Sequence, residues 1–227
     1  MTPPLTQGPG WRLLRSVRSH PEVFKFCVGW MLFDASWFNF GPLVGALFLE
    51  TTGIDFAGPI FTVFILVGTV AGCLGSLVWM WVFPRVRAPV KTWLYLLLAL
   101  NVFCIFWGGL GAGSASAVGL KHAPEFWVIN ILFMAANSAM LAYNRVVFAS
   151  FIPEGSEALL SGLIFLLDLC TGWIVPLAQG GIQDKTGDLH YSMLLSLGLM
   201  LASVPFFAWV SVDKGIDQAK KQLVGFL

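Results

Sequence analysis

Six runs close to the ~20 apolar residues a helix needs to cross a bilayer dominate this sequence. They are Val23–Leu49, Ala57–Phe83, Thr92–Leu110, Phe126–Phe148, Leu159–Ile182 and Tyr191–Val212. Polar or Gly- and Pro-rich connections separate them: Thr51–Asp55, Pro84–Lys91, Gly111–Pro124, Pro153–Glu157 and Gln183–His190. Backbone groups left unpaired in hydrocarbon are not tolerated, so each run is expected to be a helix. Composition agrees. The chain is 57% hydrophobic and 11% charged, against roughly 45–50% and about 25% in soluble domains. So few charges cannot coat a water-facing surface. The expected fold class is an all-α membrane protein of six transmembrane helices.

Lysine and arginine orient the spans. Arg12, Arg15, Arg18, Lys25, Arg85, Arg87, Lys91, Arg145, Lys214, Lys220 and Lys221 fall on one side of a six-helix path, and Lys121 and Lys185 on the other. Basic residues stay on the cytoplasmic side, so both ends of the chain are expected in the cytosol. The resulting division is a basic cytoplasmic tail over 1–20, a six-helix domain over 21–213 and a cytoplasmic tail over 214–227. The first 20 residues lack the apolar core of a signal peptide. Trp11–Val17 reads as a basic segment on the membrane surface, and the lack of acids there leaves a mitochondrial presequence open. Six spans divide into three plus three, and the second triplet enters the membrane from the opposite side. Such a 3+3 inverted repeat builds half of a major-facilitator fold; six helices also occur in channels and in mitochondrial carriers, whose repeated P-x-D/E-x-x-K/R signature is absent.

Ionisable residues inside a span cost at least ~2.5 kcal/mol and normally face protein or a water-filled cavity. Asp34 in the first run and Asp168 in the fifth lie at similar depths in helices that start on the same side, so the two are expected to line one vestibule. Each is either a proton, cation or substrate-amine site or a buried acid paired with a neighbouring helix. Asn130, Asn137 and Asn144 recur every seven residues, a step that drifts only ~20° around a helix. They form one carboxamide stripe, which either lines a polar cavity or bridges helices. The first and fourth runs are equivalent in the inverted repeat, so Asp34 and the stripe are expected at one central cavity.

Other features read as packing or hinges. Gly68, Gly72 and Ser76 form a small-xxx-small row. Gly41-Pro42 and Pro176 interrupt helices. Cys27, Cys73, Cys104 and Cys170 all lie in apolar runs without metal-ligand spacing, and are expected as buried small hydrophobes. Arg145 faces Glu154 and Glu157 in sequence, either as a structural pair closing the loop or as a gate. No P-loop, G-x-S-x-G or H-E-x-x-H occurs. Enzyme activity, a metal, a cofactor and nucleic-acid binding are therefore not expected.

The stretch from Asn144 through Arg145, Phe148-Ala149, Ile152-Pro153-Glu154-Gly155 and Glu157-Ala158 resembles the signature of the autophagy-related vacuolar amino-acid effluxers, a major-facilitator family. Its pattern is roughly R-x-x-F-A-R-x-I-P-x-G-x-E-A, followed by an aromatic-rich helix and G-P-L. Pro176-Leu177 match the end of that pattern, Asp184-Lys185-Thr186-Gly187 resembles the family's D-x-T-G, and Phe33-Asp34 resembles its F-x-x-D. Ser150 stands where the pattern has Arg, and Val175 where it has Gly. The resemblance runs from about Pro21 to Val212, as the C-terminal half of a twelve-helix protein.

The resemblance implies export of amino acids from the vacuole lumen to the cytosol in autophagy, with the vacuolar membrane as location. Asp34, Asn130, Asn137, Asn144 and Asp168 would line the substrate cavity, and Arg145, Glu154, Glu157, Asp184 and Gly187 would serve gating or structure. The partners implied are the lipid bilayer, a small-molecule substrate, and a second transporter half or a homodimer. The alternatives from half length are a non-transporting membrane scaffold or regulatory partner, or a truncated transporter fragment.

Overall fold

The computed structural model describes residues 21–86, 89–112, 118–152, 157–212 and 214–215. They form six helices, α1 (Pro21–Thr52), α2 (Pro59–Val82), α3 (Val90–Gly109), α4 (Ala123–Phe151), α5 (Glu157–Thr186) and α6 (Leu189–Trp209). All six are long and apolar enough to cross a membrane, and no strand occurs among the described residues. The basic tail over 1–20, Arg87, Glu154 and residues 216–227 lie outside the described residues.

Each helix runs past its apolar core until local chemistry stops it. Gly53 (φ +65°) ends α1, its N–H bonding the Leu49 carbonyl at 2.9 Å. Prolines open α2 and α4 in the first turn, where the missing N–H has no helical partner anyway. Pro42, Pro176 and Pro205 sit inside α1, α5 and α6, and each removes one ladder bond.

The most extensive helix pair is α1 with α6, followed by α2 with α4. Further contacts join α3–α6, α1–α5, α3–α4, α1–α4 and α5–α6. At one end, Phe26 of α1 stacks on Phe148 of α4 (6.3 Å) and meets Phe207 of α6 edge-on (5.7 Å). At the other end, Phe48 of α1 stacks on Phe64 of α2 (4.5 Å) and meets Phe126 of α4 (5.4 Å). The ends thus alternate as six successive crossings require. Lys25, Arg85, Lys91 and Arg145 fall at the first end, Lys121 and Lys185 at the second.

The α2–α4 seam is the tightest. A Cβ on Gly68 would lie 2.7 Å from Asn130 Oδ1, and one on Gly72 2.7 Å from Ser138 Oγ. The third close approach is made by Gly75, against Ala135. The four-residue row had pointed to Ser76, but a helix turns every 3.6 residues, so the row shifts by one. Cys27 and Cys104 are buried, whereas Cys73 is exposed on α2, on the side away from α4. The outer faces of α2 and α5 carry exposed Leu66, Leu77, Phe165, Trp173 and Leu177.

Candidate functional site

Asp34 and Asp168 line one cavity of about 350 Å³ between α1 and α5. At a rise of ~1.5 Å per residue they stand roughly 20 Å and 17 Å from the starts of their helices, near the middle of each. Asp34 Oδ1 accepts from the Trp37 indole N–H at 2.7 Å, one turn along α1. Asp168 Oδ1 is buried and has no hydrogen-bond partner among the described residues. Asn39, only 5% exposed, also lines the cavity and donates Nδ2 to the Ala35 carbonyl at 2.7 Å. Thr171 spends its hydroxyl on the Leu167 and Asp168 carbonyls of its own helix. Phe38, Phe165 and Trp173 form apolar walls, and no lysine, arginine or histidine is among the lining residues. Two carboxylates and an amide oxygen are acceptors. These acceptors face one another with no cationic side chain among the lining residues.

A polar seam holds α5, and so Asp168, against the bundle. Ser36 Oγ of α1 donates to the Ser196 carbonyl of α6 at 2.7 Å. Gln179 Nε2 of α5 donates to Ser196 Oγ at 2.9 Å, and Ser192 Oγ returns a bond to the Gln179 carbonyl at 3.0 Å. All four side chains are buried. Without this seam α5 would rest on few contacts, because most of its surface faces outward.

The asparagine stripe divides. Asn130 donates Nδ2 to the Phe64 carbonyl of α2 at 2.8 Å and lines a second cavity of about 570 Å³, otherwise walled by Phe38, Pro42, Phe61 and Met134. Asn137 and Asn144 are buried and line neither cavity. Asn137 Oδ1 and both polar atoms of Asn144 lack partners among the described residues. The two acids are brought together, and the stripe does not join them as a unit. Phe38 lines both cavities and forms a common wall.

Arg145 is exposed near the end of α4. Its expected partner Glu154 and the side chain of Glu157 lie outside the described residues. Asp184 is exposed on the last turn of α5. Gly187 holds φ +68°, and its N–H bonds the Gln183 carbonyl at 2.8 Å. That is a left-handed helix stop, which glycine adopts without a Cβ penalty. Thr186 Oγ1 donates to the Ile182 carbonyl at 2.8 Å. Asp188 then caps α6, accepting from the His190 N–H at 2.8 Å. The Thr-Gly of the D-x-T-G element thus ends one helix where the next begins.

Two residues not selected in the sequence analysis organise this same end. Glu125 Oε2 accepts from Trp107 Nε1 (3.1 Å), Gly119 N (3.1 Å) and Leu120 N (2.8 Å). The signal available was an acid in the first turn of a helix, where the macrodipole favours it. His190, 9% exposed, places Nδ1 2.7 Å from Asp188 Oδ1 and Nε2 3.1 Å from the Gly119 carbonyl. At the opposite end, Glu22 joins the Lys25 ammonium (2.9 Å) to the Ser211 N–H (2.8 Å). Among the described residues no group of three His, Cys, Asp or Glu side chains is arranged to hold a metal.

A family model described as "Vacuole effluxer Atg22 like" matches residues 9–220. Autophagy-related protein 22 of Candida albicans is 32% identical over 205 residues, which cover 90% of this chain and 41% of that protein. Autophagy-related protein 22 of Eremothecium gossypii is 25% identical, covering 93% of the chain and 42% of the relative. Autophagy-related protein 22-2 of Penicillium rubens is 24% identical, covering 90% and 34%. The chain spans about two fifths of the length of the curated relatives it matches.

Proposed function

Since the chain belongs to the Atg22-like vacuole effluxer family, we propose that it forms the six-helix half of a major-facilitator-type transporter releasing amino acids from the vacuole lumen to the cytosol. The single observation carrying this reading is the cavity shared by Asp34 and Asp168, whose lining holds two acids and no lysine, arginine or histidine. It suits the ammonium group of an amino acid, with Phe38, Phe165 and Trp173 against its carbon chain. Ammonium over aromatic faces gains ~0.5–2 kcal/mol when desolvated.

The helix contacts support the 3+3 inverted repeat. Exchanging α1 with α4, α2 with α5 and α3 with α6 turns α1–α6 into α4–α3, and α1–α5 into α4–α2. The contacts α1–α4 and α3–α6 map onto themselves, and α5–α6 alone lacks a comparable counterpart in α2–α3. In this reading residues 21–213 are the transmembrane domain, and the end carrying Lys25, Arg85, Lys91 and Arg145 faces the cytosol with both termini. Arg145, Glu154 and Glu157 hold or gate the cytosolic loop after α4, and Asn137 and Asn144 extend the polar path. A second half, or a second copy of the chain, closes the pathway against the exposed faces of α2 and α5.

The test is efflux of radiolabelled neutral amino acids from loaded vesicles containing the purified chain. Saturable efflux is expected, and Asp34→Asn or Asp168→Asn should each lower it about tenfold or more, the scale of a lost hydrogen bond to a charged group. Unchanged efflux in both variants would remove the site assignment. A second reading, a non-transporting scaffold or regulatory partner, is motivated by the span of about two fifths of the relatives' length. It requires that vesicles carrying the chain, dimers included, show no efflux.

A further inference from the structure

His190 joins two acceptors. Its Nδ1 lies 2.7 Å from the Asp188 carboxylate and its Nε2 3.1 Å from the Gly119 carbonyl. A carboxylate and a backbone carbonyl only accept, so bonding both at once takes two ring N–H groups, which only the imidazolium has. Neutral imidazole can satisfy one partner and must turn a lone pair on the other. Gly119 lies in the connection between α3 and α4, the segment joining the two helix triplets, and His190 lies in the first turn of α6. We infer that His190 is an acid-dependent latch that ties this connection to α6 at low pH and releases it as pH rises.

The surroundings fit a latch of this kind. Asp188 is fixed by its second role as cap of α6. Glu125 of α4 grips the same Gly119 through its N–H, so the connection is held from two sides and loses one of them on deprotonation. The other titratable groups near this end are Glu50 at the end of α1, exposed Asp55 in the connection to α2, Asp184 and Lys185 in the last turn of α5, and Lys121 and exposed His122 in the connection itself. Glu50, Asp184 and Lys185 are exposed. No described hydrogen bond joins Glu50, Asp184, Lys185 or Glu125 to the imidazole. The sign follows from charge. The bonds are complete while His190 is protonated, and one is lost when the proton leaves. The latch faces an acidic lumen if the proposed orientation holds, but the chemistry stands without transport.

The test is hydrogen exchange of the peptide covering residues 118–125, on the full chain in lipid nanodiscs, corrected for the intrinsic pH dependence of exchange. Between about pH 5 and about pH 8, the window in which histidine changes charge, protection should fall about fivefold, the weight of one net hydrogen bond. His190→Gln, whose neutral amide cannot change charge, should show a flat profile, and Asp188→Asn should flatten it as well. A wild-type profile independent of pH would overturn the latch, and so would an unchanged pH response in a folded His190→Gln. Because the wild-type series needs no variant and no substrate, its outcome is separate from the transport test.

Discussion

A Cβ on Gly75 would lie 2.5 Å from the Cα of Ala135, so α2 and α4 approach to backbone contact there. Gly75→Val should therefore push the helices apart at a cost of about 1–3 kcal/mol, the range for overpacking. Denaturant titration of the folded fraction in detergent measures this. Gly162→Ala is the control, because nothing lies within 4 Å of its added Cβ, and it should change stability by less than ~0.5 kcal/mol. Equal effects of the two would mean the α2–α4 seam is not a tight one.

Trp37 orients Asp34 through one indole N–H. Trp37→Phe keeps an aromatic body and removes that donor. Efflux should drop about tenfold, as expected for a hydrogen bond to a charged group, with protein abundance unchanged. Full activity in Trp37→Phe would mean the bond does not set the carboxylate's direction.

Asn130 and Asn144 should respond differently to leucine. Asn130→Leu deletes the bond to the Phe64 carbonyl and should cost about 0.6 kcal/mol, the average for interhelical bonds in membranes, and at most ~1.7 kcal/mol. Asn144→Leu deletes a side chain whose polar atoms lack described partners. It should leave stability level or raise it by about 1 kcal/mol, while efflux falls several-fold. Lower stability in Asn144→Leu would assign that amide to structure.

Glu125 satisfies three N–H donors with one oxygen. Glu125→Ala should open the connection between α3 and α4 to protease, with a loss of about 2–3 kcal/mol in local protection. Glu125→Gln retains an acceptor oxygen and should recover part of it. Equal cleavage of wild type and Glu125→Ala would show that the connection is held elsewhere.

The six spans were legible because length and apolarity suffice to mark a membrane helix. Val23–Leu49 grew to Pro21–Thr52 because a helix continues until glycine or a cap stops it, and hydropathy does not register that event. The meeting of Asp34 and Asp168 was legible from depth and helix direction alone. The fate of the asparagine stripe was not. Seven-residue spacing fixes a common face, but which helix covers that face depends on α2, whose glycines draw it onto Asn130. Ser76 against Gly75 shows the same gap, since one residue of rotation changes the partner. Glu125 and His190 were missed because their partners are backbone groups of a connection, and backbone groups leave no mark in composition.

The dominant pairing of α1 with α6 also sets a schedule. Glu22 and Ser211, which join these helices end to end, are 189 residues apart. At a synthesis rate of about 5–20 residues per second, α1 waits roughly 10–40 s for its main partner to emerge. The α2–α4 seam can zip earlier, while α1 stands in the bilayer with Gly29 and Ser36 uncovered. The sixth helix therefore closes the bundle, and a nascent chain stalled before it would hold an unfinished interface for chaperones to guard.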